Sequence, residues 1–122
     1  MFHAVVHLDH HHAQVLHFDA HQVHAARIDA HERHSHGHHE RTEQALYEQL
    51  CQALKDTPEV LITGSHVVIH QFKHYVEAHC PKLATQIADY RASAALSQGQ
   101  MLAMARQFFV AHDRMAGVPT PT

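Results

Sequence analysis

Apolar and polar positions change their period several times along this chain, and each change marks an element. From Phe2 to Leu8 the run is largely apolar and rich in valine, until Asp9-His10-His11-His12 interrupts it. Gln14 to Asp19 alternates, with Leu16 and Phe18 on one face and Val15 and His17 on the other; Gln22 to Asp29 is a third strand-like run carrying Val23 and Ile28. Only a few residues separate the runs, so sequential antiparallel hairpins are the economical topology. His31 to Glu40 then holds no apolar residue at all. Such a stretch adds nothing to a core and reads as an exposed, mobile loop.

Beyond the loop the period becomes helical. Thr42 reads as an N-cap, with Glu43 where the helix dipole favours an anion. Ala45, Leu46, Leu50, Ala53 and Leu54 mark an amphipathic helix to about Lys55. Pro58 ends it, and Val60-Leu61-Ile62 is a short strand apolar on both faces. Ser65 caps a second helix, with Val68, Ile69, Phe72, Tyr75 and Val76 inward and His66, His70, Lys73 and His74 outward. Pro81 restarts the chain, and Ala84 to Arg91 is ambiguous between strand and helix. Ser97 caps a last helix whose buried side uses Leu102, Ala105, Phe108 and Phe109. The order β-β-β-α-β-α-β-α defines an α+β fold: a mixed sheet with helices packed on it, the first crossover right-handed. Residues 1–116 make one domain, and 117–122, with two prolines, an extended C-terminal tail.

Composition adds one anomaly. Histidine accounts for 18 of 122 residues, 13 of them between His3 and His39, in a chain without tryptophan. They are interspersed with other residues, unlike an affinity tag. Nine basic against 12 acidic residues give a net charge of −3 with neutral imidazoles, which protonation of every ring would carry to −3 + 18 = +15. Imidazole titrates near ~6.5, so the charge swings steeply just below neutrality, while at pH 7 charge alone implies no binding to nucleic acid. No apolar run approaches the ~18–20 residues of a membrane span. Cys51 and Cys80 form no motif with each other, and no secretory apolar segment opens the chain, so reduced thiols and a cytoplasmic location are expected.

The element order, with Val60-Leu61-Ile62-Thr63-Gly64-Ser65 followed by Phe72-Lys73-His74-Tyr75, resembles the central domain of the eukaryotic and archaeal peptide-chain release factors and of Pelota. It is similar also to their short bacterial relatives, often labelled translational machinery or host-attachment proteins. The resemblance implies a ribonuclease-H-like fold over nearly the whole chain and a role beside the ribosome. It does not imply peptide release. Where release factors carry a Gly-Gly-Gln loop, this chain has His31 to Glu40, with one glycine, Gly37, and no glutamine. Gln98-Gly99-Gln100 sits before the last helix, in the wrong element.

Candidate chemistry is led by imidazole. His31, His34, His36, His38 and His39 could assemble partial coordination sets for Zn, Ni or Cu, with Glu32 and Glu40 completing a set or orienting a ring. The competing reading is a solvated polar loop, since no spacing fixes one geometry. His66, His70 and His74 lie four apart on one helix face, where two can chelate one ion and a third is ~6 Å further along the axis. An ordinary solvent face, which also carries Lys73 and Glu77, is the favoured reading. His3, His7 and His17 could share a sheet face, but without a register nothing decides it. Two-metal phosphodiester cleavage would need carboxylates from the first strand, first helix and fourth strand. Asp9 and Glu43 or Glu48 qualify, but the fourth strand ends in Ile62-Thr63-Gly64, leaving only Asp89 as a substitute. Cys51 reads as a core residue, and neither Cys80 with His79 nor Ser65 with His66 faces its neighbour. For nucleic acid the candidates are Arg41, Lys73, Arg91 and Arg106, scattered along the chain.

The sequence therefore predicts a non-catalytic, translation-associated module binding the ribosome or RNA. It could act as a homo-oligomer, without a membrane partner or a required cofactor. The alternative is a histidine-rich protein that binds or buffers Zn, Ni or Cu.

Overall fold

The structure is a computed structural model and describes residues 1–30 and 39–117, without the side chains of residues 39–42 and 116. The opening runs are strands β1 (His3–Leu8), β2 (His12–Phe18) and β3 (Val23–Asp29). An aspartate closes each hairpin in the same way. Asp9 Oδ1 accepts the His11 and His12 amides at 2.7 and 2.8 Å, and Asp19 Oδ1 accepts those of His21 and Gln22 at 2.8 Å each. A carboxylate that takes the following amides mimics a backbone turn, which is why Asp is favoured there. Helix α1 (His39–Leu54), strand β4 (Glu59–Gly64), helix α2 (His66–His79), the short α3 (Pro81–Ala84), strand β5 (Ile87–Ala92) and helix α4 (Gln98–Ala116) follow. The sheet order is β3-β2-β1-β4-β5. β1 runs antiparallel to β2 and β2 to β3, whereas β1–β4 and β4–β5 are parallel.

Alternation along the strands divides the core in two. Ala4, Val6 and Leu8 of β1, with Val60 and Ile62 of β4, pack against Leu46 and Leu50 of α1, Phe72 and Val76 of α2 and Leu83 of α3. On the other face Val5, Leu16, Phe18 and Leu61 meet Met101, Ala105 and Phe109 of α4. β4 is buried on both faces, as an all-apolar central parallel strand requires. The α1–β4 corner is clamped by Gln86, whose side-chain amide donates to the carbonyls of Leu54, Lys55 and Thr57 at 3.3, 3.0 and 2.6 Å. Those carbonyls lie at and just beyond the end of α1, where carbonyls have no partner within the helix. Gly64 ends β4 at φ +149°, where a Cβ would stand 2.3 Å from the Leu8 carbonyl oxygen. Only glycine lets the two backbones meet there.

Several expectations are sharpened. α1 begins at His39, so Thr42 is inside the helix and not its N-cap; Glu40 and Arg41 are good helix formers and extend it backwards. The loop reading of residues 31–38 and the extended-tail reading of 118–122 lie outside the described residues. Ser65 accepts the Val68 amide at 3.3 Å, and Ser97 forms a complete capping box with Gln100. Met101 replaces Leu102 and Phe108 in the core, both of which are half-buried beside it. The ambiguous segment resolves into a turn of helix started by Pro81 and then strand β5. Gln98-Gly99-Gln100 is the first turn of α4, with Gln100 spent on the cap.

Candidate functional site

The feature that composition alone does not suggest is a polar cluster inside the apolar core. His3, at the start of β1, stands opposite Glu59, at the start of parallel β4. Odd-numbered positions of both strands face α4, so the two side chains emerge under that helix. Met101, Ala105, Phe109 and Asp113 are four apart along α4, and all are buried. Helical phase thus carries Asp113 into the stripe that its apolar neighbours define. His3 Nε2 lies 2.9 Å from Glu59 Oε1 and 3.5 Å from Asp113 Oδ2. His3 is 2% exposed and Asp113 0%, while the Glu59 side chain keeps 17% and forms the edge of the cluster.

Rings enclose the imidazole: Phe109 at 4.3 Å, Phe2 at 4.9 Å and Phe18 at 5.6 Å between centroids. Burial pulls the His3 imidazole below its ordinary pKa, against the opposing pull of Asp113. Burial, and then the hydrogen bond and charge of Asp113, push the Glu59 carboxyl up to about 7. A carboxylate held this close to a second one in a low dielectric is costly to ionise, which is the sense of the Glu59 shift. The sequence left open whether His3, His7 and His17 share a sheet face. His3 and His7 do share a face, the one under α4, but His17 pairs with Ala4 and lies on the opposite one. The missed signal was Asp113, a carboxylate in phase with a buried stripe.

His7, His10, His11 and His12 gather at the far, carboxyl end of β1. His7 Nδ1 approaches Thr63 Oγ1 at 3.3 Å, and Thr63 donates to the Val6 carbonyl at 2.7 Å. Burial lowers the His7 pKa, with Asp9 and His12 as opposing neighbours. Asp9 Oδ2 pairs with His12 Nδ1 at 3.0 Å, and His10 Nδ1 with Glu43 Oε1 at 3.4 Å. The Ala30 amide donates to the His11 carbonyl at 2.8 Å. The chain therefore leaves for residues 31–38 beside the β1–β2 turn and is tied back to that turn by Glu43 of α1. Asp9 and Glu43, the carboxylates a nuclease would need, are each engaged by an imidazole. The carboxylate of β4 is Glu59, at the strand's opposite end.

The remaining candidates fall as follows. His31, His34, His36 and His38 lie outside the described residues, as do the side chains of His39 and Arg41. His66 and His70 are exposed on α2, where His70 Nε2 lies 3.2 Å from Nε2 of His74. The imidazole pair is thus His70 with His74. Lys73 sits over the Tyr90 ring at 5.7 Å. Arg91 lies over Phe108 at 4.7 Å and bonds Asp89 at 3.1 Å. Tyr90 and Arg91 are adjacent in β5 and point to opposite faces, so Lys73 and Arg91 do not share a surface. Arg106 donates to the Asp19 carbonyl at 2.8 Å and covers Phe18 at 5.8 Å, a packing role. Cys51 and Cys80, which form no sequence motif, approach within hydrogen-bonding reach as free thiols, and burial and that contact push the Cys51 thiol up.

With this architecture in view, the structural relatives are informative. No protein-family model matches the chain, and no curated protein matches it by sequence. Among solved structures it is similar to Pelota from Archaeoglobus fulgidus, with a TM-score of 0.68 at 9% identity over 94% of this chain and 35% of that one. It is similar to Thermoplasma acidophilum Pelota, with a TM-score of 0.57 at 17% identity over 89% of this chain and 31% of that one. It is also similar to an archaeal translation termination factor, with a TM-score of 0.54 at 12% identity over 94% and 39%. The chain spans about a third of the length of these proteins and has the fold of the central domain of Pelota and the archaeal termination factor. Among the described residues no helix is long and apolar enough to cross a membrane.

Proposed function

We propose that this chain is a non-catalytic binding module of the translation apparatus, acting in the cytoplasm on the ribosome or on RNA. The observation that carries the reading is the likeness in fold to Pelota and to an archaeal translation termination factor. It is supported by the lack of a Gly-Gly-Gln sequence and by the use of Gln100 as a helix cap. The motif from Val60 to Ser65 supports the finer placement among short bacterial relatives of the translational-machinery or host-attachment type. Arg41, Lys73 and Arg91 are the basic residues offered to a phosphate backbone, and they would act as separate contacts. Sedimentation with ribosomes over a salt series tests the reading. Binding that weakens with rising salt supports it; a chain that stays in the supernatant at every salt and pH overturns it.

A second reading has its own observation. The His70 and His74 Nε2 atoms are 3.2 Å apart, close to the ~3.4 Å edge that two imidazoles span on a tetrahedral ion with ~2.0–2.1 Å bonds. His31, His34, His36, His38 and His39 would add further imidazoles for the uptake of Zn, Ni or Cu. Replacing His70 and His74 by Asn should remove one bound ion per chain in a nickel titration; unchanged stoichiometry refutes the pair.

A further inference from the structure

The two ends of the central strands carry different chemistry. At the carboxyl end of β1, His10 and His12 are exposed or half-exposed and pair with single carboxylates. At the amino ends a buried imidazole meets two carboxylates drawn from separate elements. The Nε2 of His3 and one oxygen each of Glu59 and Asp113 all lie within 4.8 Å of one another. We propose that His3, Glu59 and Asp113 form a binding site for one divalent first-row transition-metal ion of the zinc class, distinct from the surface histidines.

The spacing fits such an ion. With bonds of ~2.0–2.2 Å, the edges of a tetrahedral shell are ~3.3–3.5 Å and those of an octahedral one ~2.9 Å. The Nε2–Oε1 and Nε2–Oδ2 separations, 2.9 and 3.5 Å, lie in that range, so little movement is needed to admit the ion. Charge fits as well. Beside an imidazole packed among Phe2, Phe18 and Phe109, the two carboxylates offer negative charge that a dication can neutralise. A dication beside two carboxylates and a neutral imidazole makes the set neutral. A nitrogen ligand selects against Mg and Ca, which prefer all-oxygen shells. Packed between rings, the imidazole keeps Nε2 aimed at the carboxylates, so the nitrogen is oriented before an ion arrives. Entry is past Glu59, the one partly exposed member, which leaves a position there for water.

The site joins the starts of β1 and β4 to the last turns of α4. It lies at the end of the parallel strands opposite the carboxyl ends, where ligands of open α/β sheets usually bind. Its first consequence is therefore on how firmly α4 is held, and the metal needs no substrate to be detected.

The test uses the full chain with His31, His34, His36, His38, His39, His70 and His74 replaced by Asn, so that surface imidazoles do not compete. Zinc chloride is titrated into the chelator-treated protein at pH 7.5 and followed by calorimetry and by the His3 side-chain nitrogen signals in NMR. The expected result is one ion per chain at micromolar or tighter affinity, with the His3 Nε2 signal moving as zinc is added. Glu59→Gln, at the exposed edge, should weaken binding at least tenfold, and Asp113→Asn at least a hundredfold. Should Asp113→Asn fail to fold, Glu59→Gln and the His3 signal still decide the matter. A His3 signal indifferent to zinc, or an affinity unchanged in Glu59→Gln, overturns the proposal. Neither outcome bears on ribosome sedimentation, so the proposal and the translation reading fail separately.

Discussion

Replacing Gly64 by alanine probes the closest backbone approach in the sheet. The new Cβ would stand 2.3 Å from the Leu8 carbonyl oxygen and 3.2 Å from Ile69 Cγ2. Ile69 can turn its side chain aside, but the Leu8 oxygen belongs to β1 and cannot. Holding alanine at φ +149°, in a backbone region used almost only by glycine, costs ~1–3 kcal/mol. Separating the strand ends to relieve the contact costs a further ~1–3 kcal/mol, the usual range for overpacking. The sum is about 4 kcal/mol, a large part of the ~5–15 kcal/mol that holds a domain folded. For a chain of this length each kcal/mol moves the melting temperature by roughly 3–6 °C, so a fall of ~12–24 °C is expected. Circular dichroism during heating measures it. Gly99→Ala is the control: nothing lies within 4 Å of its added Cβ, and it occupies the first turn of α4. That variant should match the parent or exceed it by up to ~1 kcal/mol. If Gly64→Ala melts within a few degrees of Gly99→Ala, the reasoning about the strand junction is wrong.

Ser97→Ala removes a capping box whose two bonds measure 3.2 and 3.0 Å, and should cost ~1 kcal/mol in a urea titration; no change would mean that α4 is held by packing alone. In the presence of a chelator, Glu59 makes the folded chain lose stability with rising pH. Its folded value is about 7 against an ordinary 4.5, so the folded state keeps a proton that the unfolded state releases across that window. With His3 and Asp113 as its neighbours unchanged, Glu59→Gln should gain on the parent as pH rises through the window, and parallel pH profiles would refute the raised Glu59 value. Asp9 has the opposite sign: burial raises its pKa, but the His11 and His12 amides outweigh this and hold it below the ordinary carboxylate value. The stability it contributes is present above an ordinary carboxylate's pKa and lost as pH falls through the lower folded one. Asp9→Asn should therefore be less stable than the parent at pH 6 and converge on it in strong acid; a gap that persists there overturns the assignment.

Periodicity made most of the fold legible because it reports burial directly. Val60-Leu61-Ile62 has no polar side, and the strand is buried on both faces; Val68, Ile69, Phe72 and Val76 repeat at helical spacing and face the sheet. Capping chemistry was equally legible at Ser65 and Ser97, since the hydroxyl serves amides within the same turn. What stayed hidden depends on contacts distant in sequence. His3 and Glu59 are 56 residues apart, and only the register of a parallel pair sets them opposite. Asp113 reads as an ordinary charge near a helix end until Phe109 and Ala105 are known to be buried. The thiols of Cys51 and Cys80 meet for the same reason, across helices that no short motif connects. Arg106 looked available to nucleic acid because side-chain spacing says nothing of a carbonyl such as that of Asp19.

The histidine excess thereby separates into parts with different physics. At 9–17% identity to its structural relatives, this chain keeps the fold through pattern and not through particular residues. Apolar side chains at His3, Glu59 and Asp113 would satisfy that pattern and avoid the cost of burying ionisable groups, which partners only in part offset. The cluster is therefore not what makes the fold. The exposed imidazoles carry no such penalty: His70, His74 and those of the β1–β2 turn cost the fold little. A buried triad answers to a single proton or a single ion. Among the described residues the histidine excess is mostly a property of the surface; the chemically specific part is one histidine, placed between two carboxylates by strand register and helical phase.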